Sequence, residues 1–376
     1  MPFPDRIQSA LQEALEAGTF PGAVLTVELR GAVVYESAVG RRLPQEPDSA
    51  VTIDTCYDLA SLTKVLATTT AWLLLLQNGL AALDVPINQI LEELRGTLIG
   101  SATVGDLLTH SSGLPGWRPY YERISAIEAA QPGFLGSTEA RRAVLSYIAK
   151  EDLQYERGSR SLYSDLGFML LGFGVERLSG ESLDLFSRRR IYDPLEAYPL
   201  TYAPRQPLRL HIAPPESKLS IAPTEEDPWR MRTLCGEVHD ENAFALGGTA
   251  GHAGLFGSAR AVLAVGHAWL QGRRGERGLL EPSLVRQFTK RQQTVSNSSW
   301  ALGWDTPSSP SSSGTLLSPE SFGHLGYTGT SLWIDPVKDL QVVLLSNRVH
   351  PTRRNERIRA FRPLIHDLVC RELLNA

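Results

Sequence analysis

Lysine is scarce in this chain. Lys and Arg together number 37, yet only Lys64, Lys150, Lys218, Lys290 and Lys338 are lysine. Cysteine is scarcer still: Cys56, Cys235 and Cys370 are widely spaced and odd in number. That usage argues against a disulfide framework and fits free thiols in a reducing compartment. No Cys/His spacing suggests a metal site. No apolar run reaches the roughly 20 residues that a bilayer requires, and residues 71–76 read as a piece of helix core. Basic charge is not in excess: a net charge of -4 and a pI near 6.1 leave no footprint for nucleic acid. Met1-Pro2-Phe3-Pro4-Asp5-Arg6 lacks the charged start and apolar stretch of a signal peptide, so a cytoplasmic location is expected.

What is present is an ordinary globular composition, 42% hydrophobic and 21% charged. The 376 residues suffice for two compact lobes with large cores.

Where a positive charge alone is wanted, this chain uses arginine. Arginine stays protonated in proteins, whereas a desolvated lysine can act as a base. The lysine at the end of Ser61-Leu62-Thr63-Lys64 therefore stands out. Residues 65–76 read as helix, because Leu66, Ala67, Thr70, Leu73, Leu74 and Gln77 recur at helical spacing. Three residues apart, the Ser61 hydroxyl and the Lys64 amine share one face. That is the geometry of a nucleophile–base pair. Ser-x-x-Lys also arises by chance, so its company decides.

Residues 7–16 read as an amphipathic helix. Residues 23–29 and 32–39 read as strands joined by a turn at Arg30-Gly31. Helical and loop segments fill about 85–285, among them 104–108, 138–149 and 164–178. Strands return at 331–335 and 341–346, split by Pro336-Val337-Lys338-Asp339, and a helix over 355–374 closes the chain. The pattern predicts an α/β (α+β) protein, with one lobe formed by residues 1–85 and 286–376. A mainly helical lobe over 86–285 is inserted into it. Residues 203–232 are proline-rich and too long for a plain connector, which marks a functional loop. The serine-rich residues 308–313 read as a mobile surface loop.

Two further segments fit acyl transfer. Tyr163-Ser164-Asp165 opens an apolar helix and would set a phenol beside the Ser/Lys pair. The plainer reading is that Ser164 or Asp165 caps that helix. His324-Leu325-Gly326-Tyr327-Thr328-Gly329-Thr330 enters a strand; its glycines would let substrate lie along the backbone, with an N–H aimed at an oxyanion. The plainer reading is a glycine-rich hairpin with a surface histidine. His239-Asp240 follows the long loop and either anchors it or lines a pocket. His110 and His252 read as structural, tying loops through ring N–H bonds.

In this order the segments resemble the serine β-lactamase and penicillin-binding-protein superfamily, which carries S-x-x-K, then S-D-N or Y-x-N, then K-T-G. The resemblance is nearest to its class C-like hydrolases and esterases, where tyrosine opens the second motif and histidine can open the third. Leu107-Leu108-Thr109-His110-Ser111-Ser112-Gly113-Leu114 is similar to a helical-lobe signature of that branch. Residues 236–243, 250–256 and 347–351 resemble a narrower subgroup that includes muramoyl-peptide amidases.

The resemblance implies a β-lactamase/transpeptidase-like fold, an antiparallel sheet flanked by helices. It implies a serine hydrolase that forms an acyl-enzyme on a small ester or amide, such as a peptidoglycan fragment, with no cofactor or metal. Ser61 would attack, and Lys64, its pKa lowered by burial, would take the proton with Tyr163. The N–H groups of Ser61 and Tyr327 would form the oxyanion hole. His324 would support the Tyr163 oxygen or the leaving group. Asp165 and Gly326 would meet substrate, and His239 and Asp240, where they line the pocket rather than anchor the loop, would join them. Partners are then a small molecule, with no nucleic acid and no membrane.

Two departures weigh against the alternative of a β-lactamase or D,D-carboxypeptidase. Asp165 stands where asparagine is usual and, when ionised, cannot donate to a substrate carbonyl. Leu325 stands where a hydroxyl is usual. A non-enzymatic sensor module on the same fold is disfavoured by the intact Ser61, Lys64 and Tyr163.

Overall fold

The computed structural model describes residues 3–202 and 220–374. Its centre is a five-stranded antiparallel sheet in the order β2-β1-β10-β9-β8. The N-terminal strands β1 (Gly22–Leu29) and β2 (Ala32–Gly40) pair through a tight turn, with Arg30 and Gly31 at φ of 55° and 77°. Both residues there need positive φ, as a two-residue hairpin of this hand demands. The C-terminal strands are β8 (Phe322–Leu325), β9 (Ser331–Asp335) and β10 (Leu340–Ser346). β10 lies against β1 in the register Ala23↔Ser346 to Leu29↔Leu340, so the two ends of the chain close one sheet.

Strand alternation sorts the sheet's two faces. Ala23, Leu25, Val27, Leu340, Val342 and Leu344 pack under helices α1 (Phe3–Glu16) and α11 (Ile358–Leu374). Val24, Val343 and Leu345 face the larger core on the other side. The centre of that core is a helix that begins as a π-helical stretch at Lys64–Thr69 and continues as α2 (Thr70–Gln77). Trp72, Leu73 and Leu75 on it are buried, each contributing about 1.5–3 kcal/mol.

Around it stand α3 (Val104–Leu108), α4 (Tyr120–Ala130), α5 (Thr138–Ala149), α6 (Asp165–Ser179), α7 (Leu183–Ser187) and α8 (Glu241–Ala245). The helices α9 (Ala259–Arg274) and α10 (Pro282–Thr289) follow. A short sheet of β3 (Tyr57–Asp58), β4 (Thr201–Tyr202) and β7 (Leu255–Gly257), and a hairpin of β5 (Glu226–Asp227) and β6 (Arg232–Thr233), complete the fold.

Two differences from the sequence reading stand out. Helix α9 falls in the span read as the helical lobe, yet it packs on β1, β9 and β10. A side chain at Gly266 would meet Gln341 Oε1 of β10 at 2.2 Å, so glycine there permits the close approach. The serine-rich stretch is not loose at its end. Ser313 is fully buried, and the Thr315 N–H and hydroxyl bond the Asp367 carboxylate of α11 at 2.6 and 2.9 Å. Of the proline-rich segment 203–232, residues 203–219 lie outside the described residues, and the remainder includes the β5–β6 hairpin. No helix among the described residues is long and apolar enough to cross a membrane.

Candidate active site

The turn before α2 is built to present Ser61. Ala60 has φ of 47°, a left-handed conformation that disfavours a side chain. The Asp58 carboxylate holds it there: Oδ1 accepts the Ala60 N–H at 2.8 Å, and Oδ2 accepts the His239 N–H at 2.7 Å. Asp58 is fully buried, and burial raises its pKa. Nothing in the spacing of the sequence singled it out.

Lys64 lies one turn further along, with its side chain fully buried. Its Nζ donates to Asp165 Oδ1 at 2.7 Å and to the His252 carbonyl at 3.0 Å, and stands 3.1 Å from Ser61 Oγ. It also lies 4.8 Å from the centre of the Tyr163 ring. The expected downward pKa shift is not found. Burial alone would lower the ammonium, but the Asp165 carboxylate, aided by Tyr163, more than offsets it and the pKa is raised.

The segment 163–165 places the Tyr163 ring beside Lys64 and caps α6, and it sets Asp165, read from the sequence as a substrate contact, against Lys64. Ser164 caps α6, its Oγ accepting the Gly167 N–H at 3.2 Å, and Asp165 turns to Lys64. The Leu107-to-Leu114 motif fixes this segment in place. His110 Nδ1 accepts the Ser164 N–H at 3.0 Å, its carbonyl accepts the Leu162 N–H at 2.8 Å, and its ring packs 4.7 Å from that of Tyr163. His110 is thus structural, as expected, but through an accepting rather than a donating nitrogen. Burial raises the pKa of Tyr163 and keeps its phenol neutral, although Lys64 pulls the other way.

On the other side, the β8–β9 turn is pinned to the chain just before Ser61. Thr328 Oγ1 donates to the Asp58 carbonyl at 2.7 Å and Thr330 Oγ1 to the Leu59 carbonyl at 3.0 Å. A side chain at Gly326 would meet Thr330 Oγ1 at 1.9 Å and Leu59 O at 2.5 Å, so only glycine allows this contact. Tyr327 is thereby held beside Ser61. Among the described residues no backbone acceptor takes the N–H of either Ser61 or Tyr327. His324 is 3% exposed, its Nδ1 bonds the Leu325 carbonyl at 2.8 Å, and its Nε2 has no partner among the described residues. Burial, with the Lys64 charge, pushes its pKa down to about 3, so it is a neutral acceptor.

Two cavities meet at this point, and Ser61, Tyr163 and Tyr327 line both. The first, of about 340 Å³, is walled by Trp300, His324, Leu325 and Gly326 and by Arg348, Arg359 and Arg362. Arg348 and Arg362 are each 6% exposed, and among the described residues neither forms a salt bridge with a carboxylate. Arg362 Nη2 donates to the carbonyls of Gly326 and Thr330 at 2.7 Å, while its buried Nε has no hydrogen-bond partner among the described residues. Burial, then the Arg348 and Arg359 charges, push its pKa down to about 9, still a cation at neutral pH.

The second cavity, of about 380 Å³, is lined by Trp117, Asp165, His239, Asp240, Glu241 and Arg353 among others. Here both readings of His239-Asp240 meet. His239 Nε2 bonds Glu225 at 2.9 Å, and Asp240 caps α8 and bonds His252 Nε2 at 2.9 Å, yet both side chains face the cavity. Burial would raise Glu225, but His239 and Arg353 hold it down to about 2. Arg359 and Arg362 of the first cavity, Arg353 of the second and Glu225 behind His239 escaped the sequence reading, and Arg348 entered it only within the segment 347–351, with no role. Among the described residues no group of three or more His, Cys, Asp or Glu is placed to hold a metal ion.

The family profile described as Beta-lactamase matches residues 7–365. A protein of Escherichia coli (strain K12), named as a candidate D-alanyl-D-alanine carboxypeptidase, is 33% identical over 360 residues, covering 88% of this chain and 79% of that one. A protein of the same description from Salmonella typhimurium is 30% identical over 381 residues, covering 94% and 84%. Among solved structures, EstCE1, described as a hydrolase with promiscuous acyltransferase activity, superposes with a TM-score of 0.72 at 21% identity over 96% of this chain and 98% of its own. A penicillin-binding-protein homologue from Caulobacter crescentus does so with a TM-score of 0.72 at 17% identity, over 99% and 98%. At these identities the two structures share the fold.

Proposed function

Since this chain belongs to the β-lactamase family, that of the serine β-lactamases and penicillin-binding proteins, and is a serine hydrolase, we propose that Ser61 is its nucleophile and that its substrates are short amides or esters with an anionic leaving group. The observation that carries the substrate reading is the pair Arg348 and Arg362, two buried guanidinium groups that donate to backbone carbonyls and, among the described residues, form no salt bridge, in a cavity lined by Ser61. A buried charge left unpaired is costly, and a ligand carboxylate would offset that cost. Peptidoglycan-derived peptides belong to this chemical class.

In the proposed cycle, substrate lies along the Gly326–Tyr327 backbone with its carbonyl oxygen at the N–H groups of Ser61 and Tyr327. Ser61 Oγ attacks, and its proton passes to Lys64 with Tyr163 alongside. The leaving group departs toward the arginine-lined cavity, where the neutral His324 Nε2 accepts from it or from the incoming water. Water then frees the acyl group. On this reading His239 and Asp240 line the side of the site that takes the acyl portion.

The test is a matched pair of short peptides, one ending in a free carboxylate and one in a neutral amide. The carboxylate form should be favoured about 10- to 100-fold in kcat/KM, the size of one charged hydrogen bond of about 1.5–3 kcal/mol. Equal values for the pair would contradict an anion seat. In the same panel nitrocefin should turn over less well than p-nitrophenyl acetate. Asp165 is committed to Lys64, and Leu325 offers no hydroxyl. A higher kcat/KM for nitrocefin would refute that.

A further inference from the structure

Three oxygens lie within 3.1 Å of Lys64 Nζ in hydrogen-bond geometry, with the Tyr163 hydroxyl also facing it, and the chemistry of the three sets its orientation. The Asp165 carboxylate at 2.7 Å and the His252 carbonyl at 3.0 Å can only accept, so each takes one hydrogen of Lys64. The remaining valence faces Ser61 Oγ at 3.1 Å. In the ammonium form that valence is an N–H; in the amine form it is the lone pair. The Tyr163 and Phe168 rings, centred 4.8 and 5.6 Å from Nζ, close the space around it. Several other groups face Lys64. Tyr163 and Asp165 come from the entry to α6, His252 and Asp240 from the segment around α8 and β7, His110 from the exit of α3, and His324 from β8. Asp240 is engaged by His252, and the histidines at 110 and 324 are neutral. Asp165 is the carboxylate in direct contact.

We propose that Asp165 is a positioning residue that holds the resting enzyme's Lys64 as an ammonium and aims its third valence at Ser61, so that loss of one proton from Lys64 gates acylation. This rests on the reading of Ser61 and Lys64 as nucleophile and base. With Lys64 as the amine, the Ser61 hydroxyl proton transfers to its lone pair as the Oγ–C bond forms and the carbonyl π pair moves onto oxygen. When that pair returns, the bond to the leaving group breaks and the leaving group takes up the proton. With Lys64 as the ammonium, the first transfer has no acceptor. An asparagine at 165 would keep the shape and offer a neutral carbonyl, so it would orient Lys64 without holding its charge. The raised pKa of Lys64 agrees with this arrangement.

Because Lys64 is one of five lysines, the full-length protein labelled with ¹³C-lysine gives a spectrum in which each ε-carbon can be followed with pH. The signal lost in Lys64→Arg identifies it. Lys64 should stay charged to a higher pH than the other four, and in Asp165→Asn its midpoint should fall by about 1–3 pH units. The rate of inactivation by a fluorophosphonate, in which the Ser61 Oγ–P bond forms and fluoride leaves, should shift to lower pH by the same amount. Asp165→Glu should restore a midpoint near the original. Titration of Lys64 at or below the other lysines would overturn the proposal, as would an unmoved midpoint in Asp165→Asn. If Asp165→Asn does not fold, the unsubstituted protein's titration decides alone. Failure of fluorophosphonate to reach Ser61 would instead strike at the nucleophile assignment, which the lysine spectrum does not depend on.

Discussion

Ser61→Ala lowers ester and amide hydrolysis by about 10⁴-fold or more and leaves the melting temperature nearly unchanged. The first expectation follows from covalent catalysis: without the hydroxyl no acyl-enzyme forms, and what remains is binding and the oxyanion hole. The second follows from the local bonding. The Ser61 side chain is half-buried, and its hydroxyl is bonded by Lys64 and faces the Tyr163 hydroxyl. When it is removed, Lys64 keeps Asp165 and the His252 carbonyl. No buried charge is left unpaired, so the stability cost is small. Steady-state kinetics and thermal melting of one variant check both halves. Retained turnover would remove Ser61 from the mechanism. A collapsed melting temperature would show that the hydroxyl has a structural task.

Lys64→Arg is expected to cost about 10²-fold or more in kcat/KM. Arginine keeps the charge beside Asp165 but never gives it up, so the Ser61 proton has no destination. The guanidinium is also larger than the ammonium in a fully buried space, which adds about 1–3 kcal/mol of instability. The pH profile separates these effects. Lost packing lowers the rate equally at every pH, whereas loss of the base removes its rise toward alkaline pH. Near-normal turnover at any pH would end the base assignment.

Ser61, Lys64 and Tyr163 were legible in the sequence because their signals are local: a fixed spacing on a helix, and a tyrosine just before a capped helix. The strands at both ends were legible through turn residues and β-branched runs, and they pair in one sheet. Electrostatics was not. The pKa of Lys64 depends on a carboxylate 101 residues away, and a scarce lysine in an apolar run reads as a depressed one until that partner is placed. Arg348 lies in the segment 347–351 that the resemblance marked but nothing there gave it a role, Arg362 carries no pattern among so many arginines, and what distinguishes both, no salt bridge among the described residues, is a property of space. Asp58 was hidden for a similar reason. Its two acceptors serve Ala60, two residues on, and His239, from a distant segment. Helix α9 was read with the helical lobe because its amphipathic pattern says that one face is buried, not against which lobe.

The mechanism turns on which atom becomes acylated. Treatment with a fluorophosphonate, followed by intact-mass measurement and peptide mapping, should show a single adduct on Ser61 and none in Ser61→Ala. An adduct on another residue, or labelling that persists in Ser61→Ala, would contradict it.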